Sequence, residues 1–245
     1  MCTLTYVLNE NGYELFFNRD EQRSRALALP PQYNGIKHAF YPIDPQGQGT
    51  WLAVNKQGLS LALLNNYQAQ MATDVSDNNI SRGQLILSLL EGKGEISEQL
   101  QAMDLRVYQP FQLCIFPPNL SVQKHNFYCV KWDGQNLTPA ETDLPITSSS
   151  VDFLEVQEKR IMRFKHLVDV DKPSLAELKA FHFSTEEDGK HSVNMQRKDA
   201  KTVSISHISV NATINLNASL SKGEVCFEYI DNTTQEVHRV SCIKE

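Results

Sequence analysis

The sequence predicts an α+β fold with mostly antiparallel sheets. Two observations carry this. Strand-like segments, rich in apolar and β-branched residues, come in runs bounded by turn signals. Helical patterns come in separate runs instead of following every strand, which favours α+β packing over a βαβ repeat. A third observation sets the scale: 245 residues suit one large domain or two small ones, with enough apolar chain to bury a sizeable core. No internal repeat, low-complexity stretch or linker divides the chain, so residues 1–245 are read as one domain.

The elements follow in order. Residues 3–8 and 13–17 flank the turn signal Asn9-Glu10-Asn11-Gly12 and form a first hairpin. Residues 29–47, with Pro30-Pro31 and Pro45-Gln46-Gly47, read as loop. Residues 50–54 and 59–64 form a second hairpin around Lys56-Gln57-Gly58. Ser81 is a candidate N-cap for a helix that ends near Gly92. Residues 96–103 make a second helix, and 111–116 and 126–132 return to strands. The clearest helix covers residues 152–168, with Phe153, Val156, Ile161, Phe164 and Leu167 on one face and charges opposite. Pro173 sits near the start of another helix that runs through Phe181. Strands at 202–210, 224–230 and 237–243 finish the chain.

Composition excludes several classes. There are 29 acidic and 23 basic side chains, for a net charge of −6, and no Lys/Arg run, which argues against nucleic acid as the main partner. No stretch approaches the roughly 20 apolar residues that span a bilayer, and the N-terminus has no signal-peptide pattern. A cytoplasmic protein is therefore expected, on which the Asn-x-Ser/Thr triplets at Asn79, Asn119, Asn136, Asn211, Asn217 and Asn232 carry no meaning. The five cysteines, Cys2, Cys114, Cys129, Cys226 and Cys242, include no Cys-x-x-Cys pair, so neither a disulfide framework nor a zinc site is expected. Cys114 and Cys226 read as buried strand thiols. No metal or other cofactor is expected, and nothing specifies an oligomeric state.

The first hairpin has a chemical consequence. If Leu8 pairs with Tyr13, paired positions sum to 21. Cys2 then lies opposite Arg19, beside Asp20, to within about one or two residues. A thiolate is the nucleophilic form of cysteine, and a free thiol has a pKa of about 8.5. A guanidinium nearby favours the thiolate. After removal of Met1, the α-amine of Cys2, with a pKa of about 7.7–8.0, can accept the thiol proton. Asp20 would then hold the ammonium or orient Arg19.

The residues also carry a family resemblance. Met1-Cys2-Thr3-Leu4, Asn18-Arg19-Asp20-Glu21, Gly49-Thr50-Trp51-Leu52, Asn55-x-x-Gly58-Leu59, Leu64-Asn65-Asn66 and Ser81-Arg82-Gly83, in this order, resemble the NRDE family, which includes the transport and Golgi organisation proteins. The first third of the chain carries most of the resemblance. More distantly, the pattern is similar to the choloylglycine hydrolase group, the bile salt and penicillin V amidases. That similarity implies an N-terminal-nucleophile (Ntn) hydrolase fold, a four-layer αββα sandwich with two mostly antiparallel sheets. It also implies Cys2 as nucleophile, Arg19 and Asp20 as the thiol-activating and amine-orienting pair, and Asn65 as an oxyanion donor. The sequence departs from the amidases at Ile146-Thr147-Ser148-Ser149, where Ser148 stands at the place of an oxyanion-donating Asn. Losing one such donor costs roughly 10²–10³ in rate in a well-studied protease. Arg197 is the candidate for a distal arginine that precedes a late strand in the amidases.

Two functions follow from this. One is hydrolysis of a linear C–N amide bond by Cys2, with acyl transfer to another amine as a variant. The other is a non-catalytic carrier of a small molecule. The resemblance permits haem trafficking, for which His182, His191 and His207 are the histidines to consider, although no haem-attachment motif is present. Either way the partner is a small-molecule substrate or ligand. Arg82 sits in a polar stretch that reads most simply as a helix-capping loop. It could instead border the substrate mouth, where it would suit a carboxylate.

Overall fold

The computed structural model describes residues 1–69, 80–186, 188–211 and 223–245. The polar stretch that precedes Arg82 lies partly outside them, as do Asn79 and Asn217. The chain opens with β1 (Cys2–Asn9) and β2 (Gly12–Gln22), then β3 (Leu29–Asn34), β4 (Ala39–Ile43), β5 (Leu52–Asn55) and β6 (Ser60–Asn65). Two helices follow, α1 (Gly83–Glu91) and α2 (Ile96–Ala102), and then β7 (Phe111–Phe116), β8 (Tyr128–Trp132), β9 (Leu137–Ala140) and β10 (Ile146–Ser148). Helices α3 (Phe153–Leu167) and α4 (Leu175–Phe183) precede β11 (Ala200–Asn211), β12 (Glu224–Asp231) and β13 (Val237–Ile243).

These strands make two antiparallel sheets. One has six strands in the order β10-β1-β2-β11-β12-β13, and the other runs β3 to β9 in chain order. Strand alternation stacks the layers. On β2, Tyr13, Leu15 and Phe17 point between the sheets, while Phe16 points the other way, onto Phe164 of α3 and Leu178 and Phe181 of α4. On β7, Cys114 and Phe116 face the inter-sheet core. Phe111, Leu113 and Ile115 face Leu85, Ile86 and Leu89 of α1 and Ile96 and Leu100 of α2. The result is the expected αββα sandwich. Its middle layers are buried on both faces, which is why β6 and β7 read as nearly continuous apolar runs.

Some expectations are corrected. The segment read as loop at 29–47 contains β3 and β4. Pro30 and Pro31 hid β3, which tolerates them because it is an edge strand with a bulge between Leu29 and Gln32. Ser81 does not cap α1 through its side chain; the N-cap is Arg82, and only the Ser81 carbonyl is used, accepting from Gln84 N–H at 2.9 Å. On α4 the cap is Ser174, with a full capping box to Glu177, and Pro173 lies just outside it. On α3 the buried residues are Val156, Arg160 and Phe164, so a charge lies inside the apolar stripe and Ile161 is only half-buried.

One contact ties the sheets directly. The buried Tyr13 hydroxyl donates toward the Gly58 carbonyl at 2.8 Å and lies 2.7 Å from Ser60 Oγ. Gly58 reaches this position at φ +86°, a conformation that suits glycine. Tyr13→Phe would leave that carbonyl buried without its donor and should destabilise the protein by about 1–3 kcal/mol. A thermal melt should then show Tm lower by about 2–4 °C per kcal/mol. An unchanged Tm would remove this contact from the list of sheet-joining interactions.

Candidate active site

The β1–β2 ladder sets the geometry. Its register pairs Leu8 with Tyr13 and Cys2 with Arg19, as the turn signal predicts. The ladder continues one step further: Asp20 N–H donates to the Met1 carbonyl at 2.9 Å, and the Met1 ammonium to the Asp20 carbonyl at 3.4 Å. Met1 and Asp20 therefore form a hydrogen-bonded pair, and Cys2 and Arg19 the closer, non-hydrogen-bonded pair, with Cα atoms about 4.5 Å apart. Cross-strand partners share a face. One row, Ser148–Cys2–Arg19–Ser204, crosses β10, β1, β2 and β11 on the side that meets the other sheet. Met1, Thr3, Asn18 and Asp20 face the helices instead.

The Asn-Arg-Asp-Glu string thus splits between two faces. Asn18 Nδ2 donates to the carbonyls of His182 and Val193 at 2.8 and 2.9 Å, tying the end of α4 to the sheet. Its Oδ1 accepts from His182 Nδ1 at 2.8 Å. Burial keeps the His182 ring neutral, so with its Nδ1–H given to Asn18, Nε2 accepts from Thr5 Oγ1 at 2.8 Å. Asp20 is fully buried against Arg160, with Nη2 at 3.3 Å from Oδ2, and accepts from Thr202 Oγ1 at 2.6 Å. Arg160 also donates to Thr3 Oγ1 and to the Ser192 carbonyl, the latter at 2.9 Å.

On the opposite face, Arg19 stacks on Trp51 with its guanidinium carbon 4.1 Å from the ring centre. It pairs with Glu21 at 3.3 Å and Asp44 at 3.6 Å. Arg25 closes the group, at 2.5 Å from Asp44 and 3.5 Å from Glu21. A cavity of about 230 Å³ opens here, bordered by Cys2, Arg19, Asn65, Tyr67 and Arg82 among others. Its far wall is set by two glycines. A Cβ on Gly49 would lie 2.4 Å from the Gly83 carbonyl carbon, and one on Gly83 would lie 2.7 Å from Thr50 N. Thr50 N–H donates to the Gly83 carbonyl at 3.1 Å. The Gly-Thr-Trp and Ser-Arg-Gly strings therefore pack backbone to backbone and hold Trp51 and Arg82 on one rim.

Burial pushes the Cys2 thiol above its usual pKa, with the N-terminal ammonium opposing. The thiol, not the thiolate, is then the resting form, and a base is needed. Asn65, at the end of β6, borders the cavity and donates to Tyr67 Oη at 2.6 Å. Ser148 is the buried β10 neighbour of Cys2, and its hydroxyl has no hydrogen-bond partner among the described residues. It does not line the open cavity. Arg197 does not either: it is bidentate with Asp199 and touches the Met1 sulfur at 3.6 Å. Met1 packs into a slot with Val156 and Met195, behind the sheet from the thiol. The histidines are dispersed. His182 is in the core, His191 pairs with Glu155 at 3.1 Å, and His207 stacks on Phe16 at 4.4 Å.

The sequence profile of the Transport and Golgi organisation 2 family matches residues 1–166. The chain belongs to that family. No curated protein matches the chain in sequence. Among solved structures, it is similar to a Caenorhabditis elegans N-acylethanolamine-hydrolyzing acid amidase (NAAA) ortholog. The TM-score is 0.54 at 12% identity, covering 85% of this chain and 92% of that one. It is also similar to the C2A mutant of the conjugated bile acid hydrolase from Clostridium perfringens. There the TM-score is 0.50 at 12% identity, covering 98% of this chain and 92% of that one. These likenesses place the family member in the Ntn-hydrolase fold. No helix among the described residues is long and apolar enough to cross a membrane.

Arg160 and Thr202 behind the strand, and Arg25, Asp44 and Tyr67 at the cavity, escaped the sequence reading. Arg160 carried a signal: it lies four residues after Val156 and four before Phe164, inside the apolar stripe. Arg160→Met should leave Asp20 buried and unpaired and cost about 3–5 kcal/mol in a denaturant titration. Adding Asp20→Asn should recover part of that. A loss below about 1 kcal/mol would show that the pair does not brace the sheet. A second expectation concerns acid. Burial lowers the pKa of His182 from 6.5 to about 3. Between those values the unfolded chain binds a proton that the folded chain refuses, so stability falls as pH falls through that window. His182→Gln should flatten this slope in urea titrations from pH 7 to 4; an equal slope would refute it.

Proposed function

We propose that the protein hydrolyses the amide bond of a small molecule through Cys2, once Met1 is removed. The observation that carries this is the Cys2–Arg19 pair on the cavity face, with Asp20 directly behind the N-terminus. In this reading the α-amine of Cys2 takes the thiol proton, and the sulfur attacks the amide carbonyl. The tetrahedral intermediate collapses, the proton passes to the leaving nitrogen, and a thioester is left on Cys2. Water then attacks the thioester with the amine again as base, releasing the acid and restoring the thiol.

The surrounding residues suit these steps. Asn65 keeps one amide N–H beyond its bond to Tyr67, available as an oxyanion donor. Asp20 N–H loses its acceptor when Met1 leaves and becomes a second free donor at the chain start. The fully buried Asp20–Arg160 pair holds the strand end against the movement that attack requires. Ser148 is in reach of Cys2 by register, and Arg197 flanks the slot that Met1 vacates, so in this reading both support the N-terminus and neither contacts the substrate.

Intact mass spectrometry of the native protein, with and without an electrophilic amide or thiol probe, tests the reading. The mass should be lighter by one methionine, and one label should appear on Cys2 before the other four cysteines. Cys2→Ala should abolish labelling and turnover of any amide the protein accepts. Retained Met1 with no turnover would leave a non-catalytic ligand carrier as the better account of the cavity, and turnover unchanged in Cys2→Ala would place the chemistry on other residues.

A further inference from the structure

The charges that border the cavity cancel in pairs, with one exception. Arg19 and Arg25 share Glu21 and Asp44 in a closed group of two cations and two anions. Asp20 is taken by Arg160 from behind. Arg82 has no carboxylate within ion-pair distance among the described residues; its guanidinium donates to the Pro110 carbonyl at 3.1 Å, a neutral acceptor. Burial pulls Arg82 below the usual guanidinium range, while Tyr67, Cys2 and, more weakly, Glu21 pull it back, so the group is desolvated without a close ion pair among the described residues. Tyr67 stands beside it. Burial raises the phenol, which therefore stays protonated, and its oxygen already accepts from Asn65, leaving its own O–H to donate.

The end of α1 adds to this. The helix begins at Gly83, on the cavity rim, with no acidic residue in its first turn and no side-chain cap. Its positive end is therefore left without the anion that such ends attract. The Gly49–Gly83 contact fixes this end, and Arg82 with it, against the Trp51 loop on which Arg19 stacks. The thiol and the Arg82 cation are thus two fixed points of one small cavity.

We infer that the Cys2 cavity takes an amide that carries a carboxylate, and that Arg82, with the Tyr67 hydroxyl, anchors that carboxylate while the amide carbonyl lies at Cys2. This rests on the Cys2 reading but can fail separately. Arg82 is a specificity-determining residue here: it touches the far end of the substrate and takes no part in bond breaking. A bidentate guanidinium–carboxylate contact in a partly desolvated site is strong enough to decide which amides enter.

The test uses two ligands that differ only in charge, N-hexanoylglycine and N-hexanoylglycinamide. Binding is measured by calorimetry on the full chain carrying Cys2→Ala, where no turnover interferes. The carboxylate should bind about 10- to 100-fold more tightly than the neutral amide. Arg82→Gln should abolish that difference by weakening the carboxylate alone, and Arg82→Lys should restore part of it. Glutaric acid monoamides, with the carboxylate on the acyl side, show which end of the scissile bond carries it. Equal binding of the two ligands, or a preference that survives Arg82→Gln, overturns the assignment. Acylation of Cys2 in the wild-type chain by a neutral activated ester, read by intact mass, is scored separately. If acylation occurs and the charge preference is absent, the Arg82 inference fails while the Cys2 reading stands. If the charge preference is present and acylation never occurs, the cavity binds carboxylates without acting on them.

Discussion

The buried Asp20–Arg160 ion pair is the interaction on which the rest of the site depends. Two charges fully out of water are costly, and their attraction offsets this only where hydrogen bonds satisfy what remains. Here they do. Asp20 also accepts from Thr202 of β11, and Arg160 also donates to Thr3 of β1 and to the Ser192 carbonyl. Four separate stretches of chain (β1, β2, β11 and the segment after α4) are held to α3 at one point. That point lies directly behind Cys2. Strand ends usually fray, but this one is braced from the helix side, so the first residues of the chain can hold a fixed geometry.

Strand alternation then assigns the chemistry. Arg19 and Asp20 are neighbours in sequence and lie on opposite faces, one beside the thiol and one beside the N-terminus. A register slip of one residue would exchange them. The thiol would face a carboxylate, which disfavours its ionisation, and the guanidinium would face the helices without Arg160's hydrogen-bonding partners. The hairpin turn at Asn9–Gly12 and the apolar face of β2 exclude that slip. The bulge between Thr202 and Ser204 serves the same end on the other side of β2. It lets Thr202 reach Asp20 and returns Ser204 to the row of Cys2 and Arg19.

Much of this was legible in the sequence because it is local. The hairpin register followed from one turn and two alternating strands. The strands of the middle layers announced themselves as apolar runs, and the motif strings that carry the family resemblance lie on both walls of the cavity. What stayed hidden depends on tertiary contacts. Strand β3 looked like loop because its prolines are tolerable only on an edge, and edges are not visible before the sheet is assembled. Arg160 is hard to pick out because charges on an amphipathic helix are ordinarily solvated; only the distant Asp20 makes its burial possible. The pairing of Gly49 with Gly83 joins residues far apart in the chain, and no spacing rule connects them. Family resemblance put Ser148 at the place of an oxyanion-donating Asn, and only the structure pairs it with Cys2, since β10 is too short to be found by pattern.

The Met1 slot exposes a tension between stability and the proposed chemistry. With Met1 in place, the chain is the better packed form. The Met1 side chain fills a space between Val156 and Met195, and its carbonyl accepts from Asp20 N–H. Removing it empties a buried apolar space, which costs about 24 cal/mol per Å³ of residual cavity, and frees a backbone donor. What is gained is an amine one residue further in, beside the thiol and next to Asp20. A site that needs its own chain terminus must give up the packing that would otherwise seal it, as stability is often spent at functional sites. The ion pair behind the strand explains how the fold tolerates this. It holds β1 through the Thr3 side chain and β2 through the Asp20 side chain, whose bonds to Arg160 do not involve Met1, so in the proposed reading the geometry of Cys2 would survive the loss of the residue that precedes it.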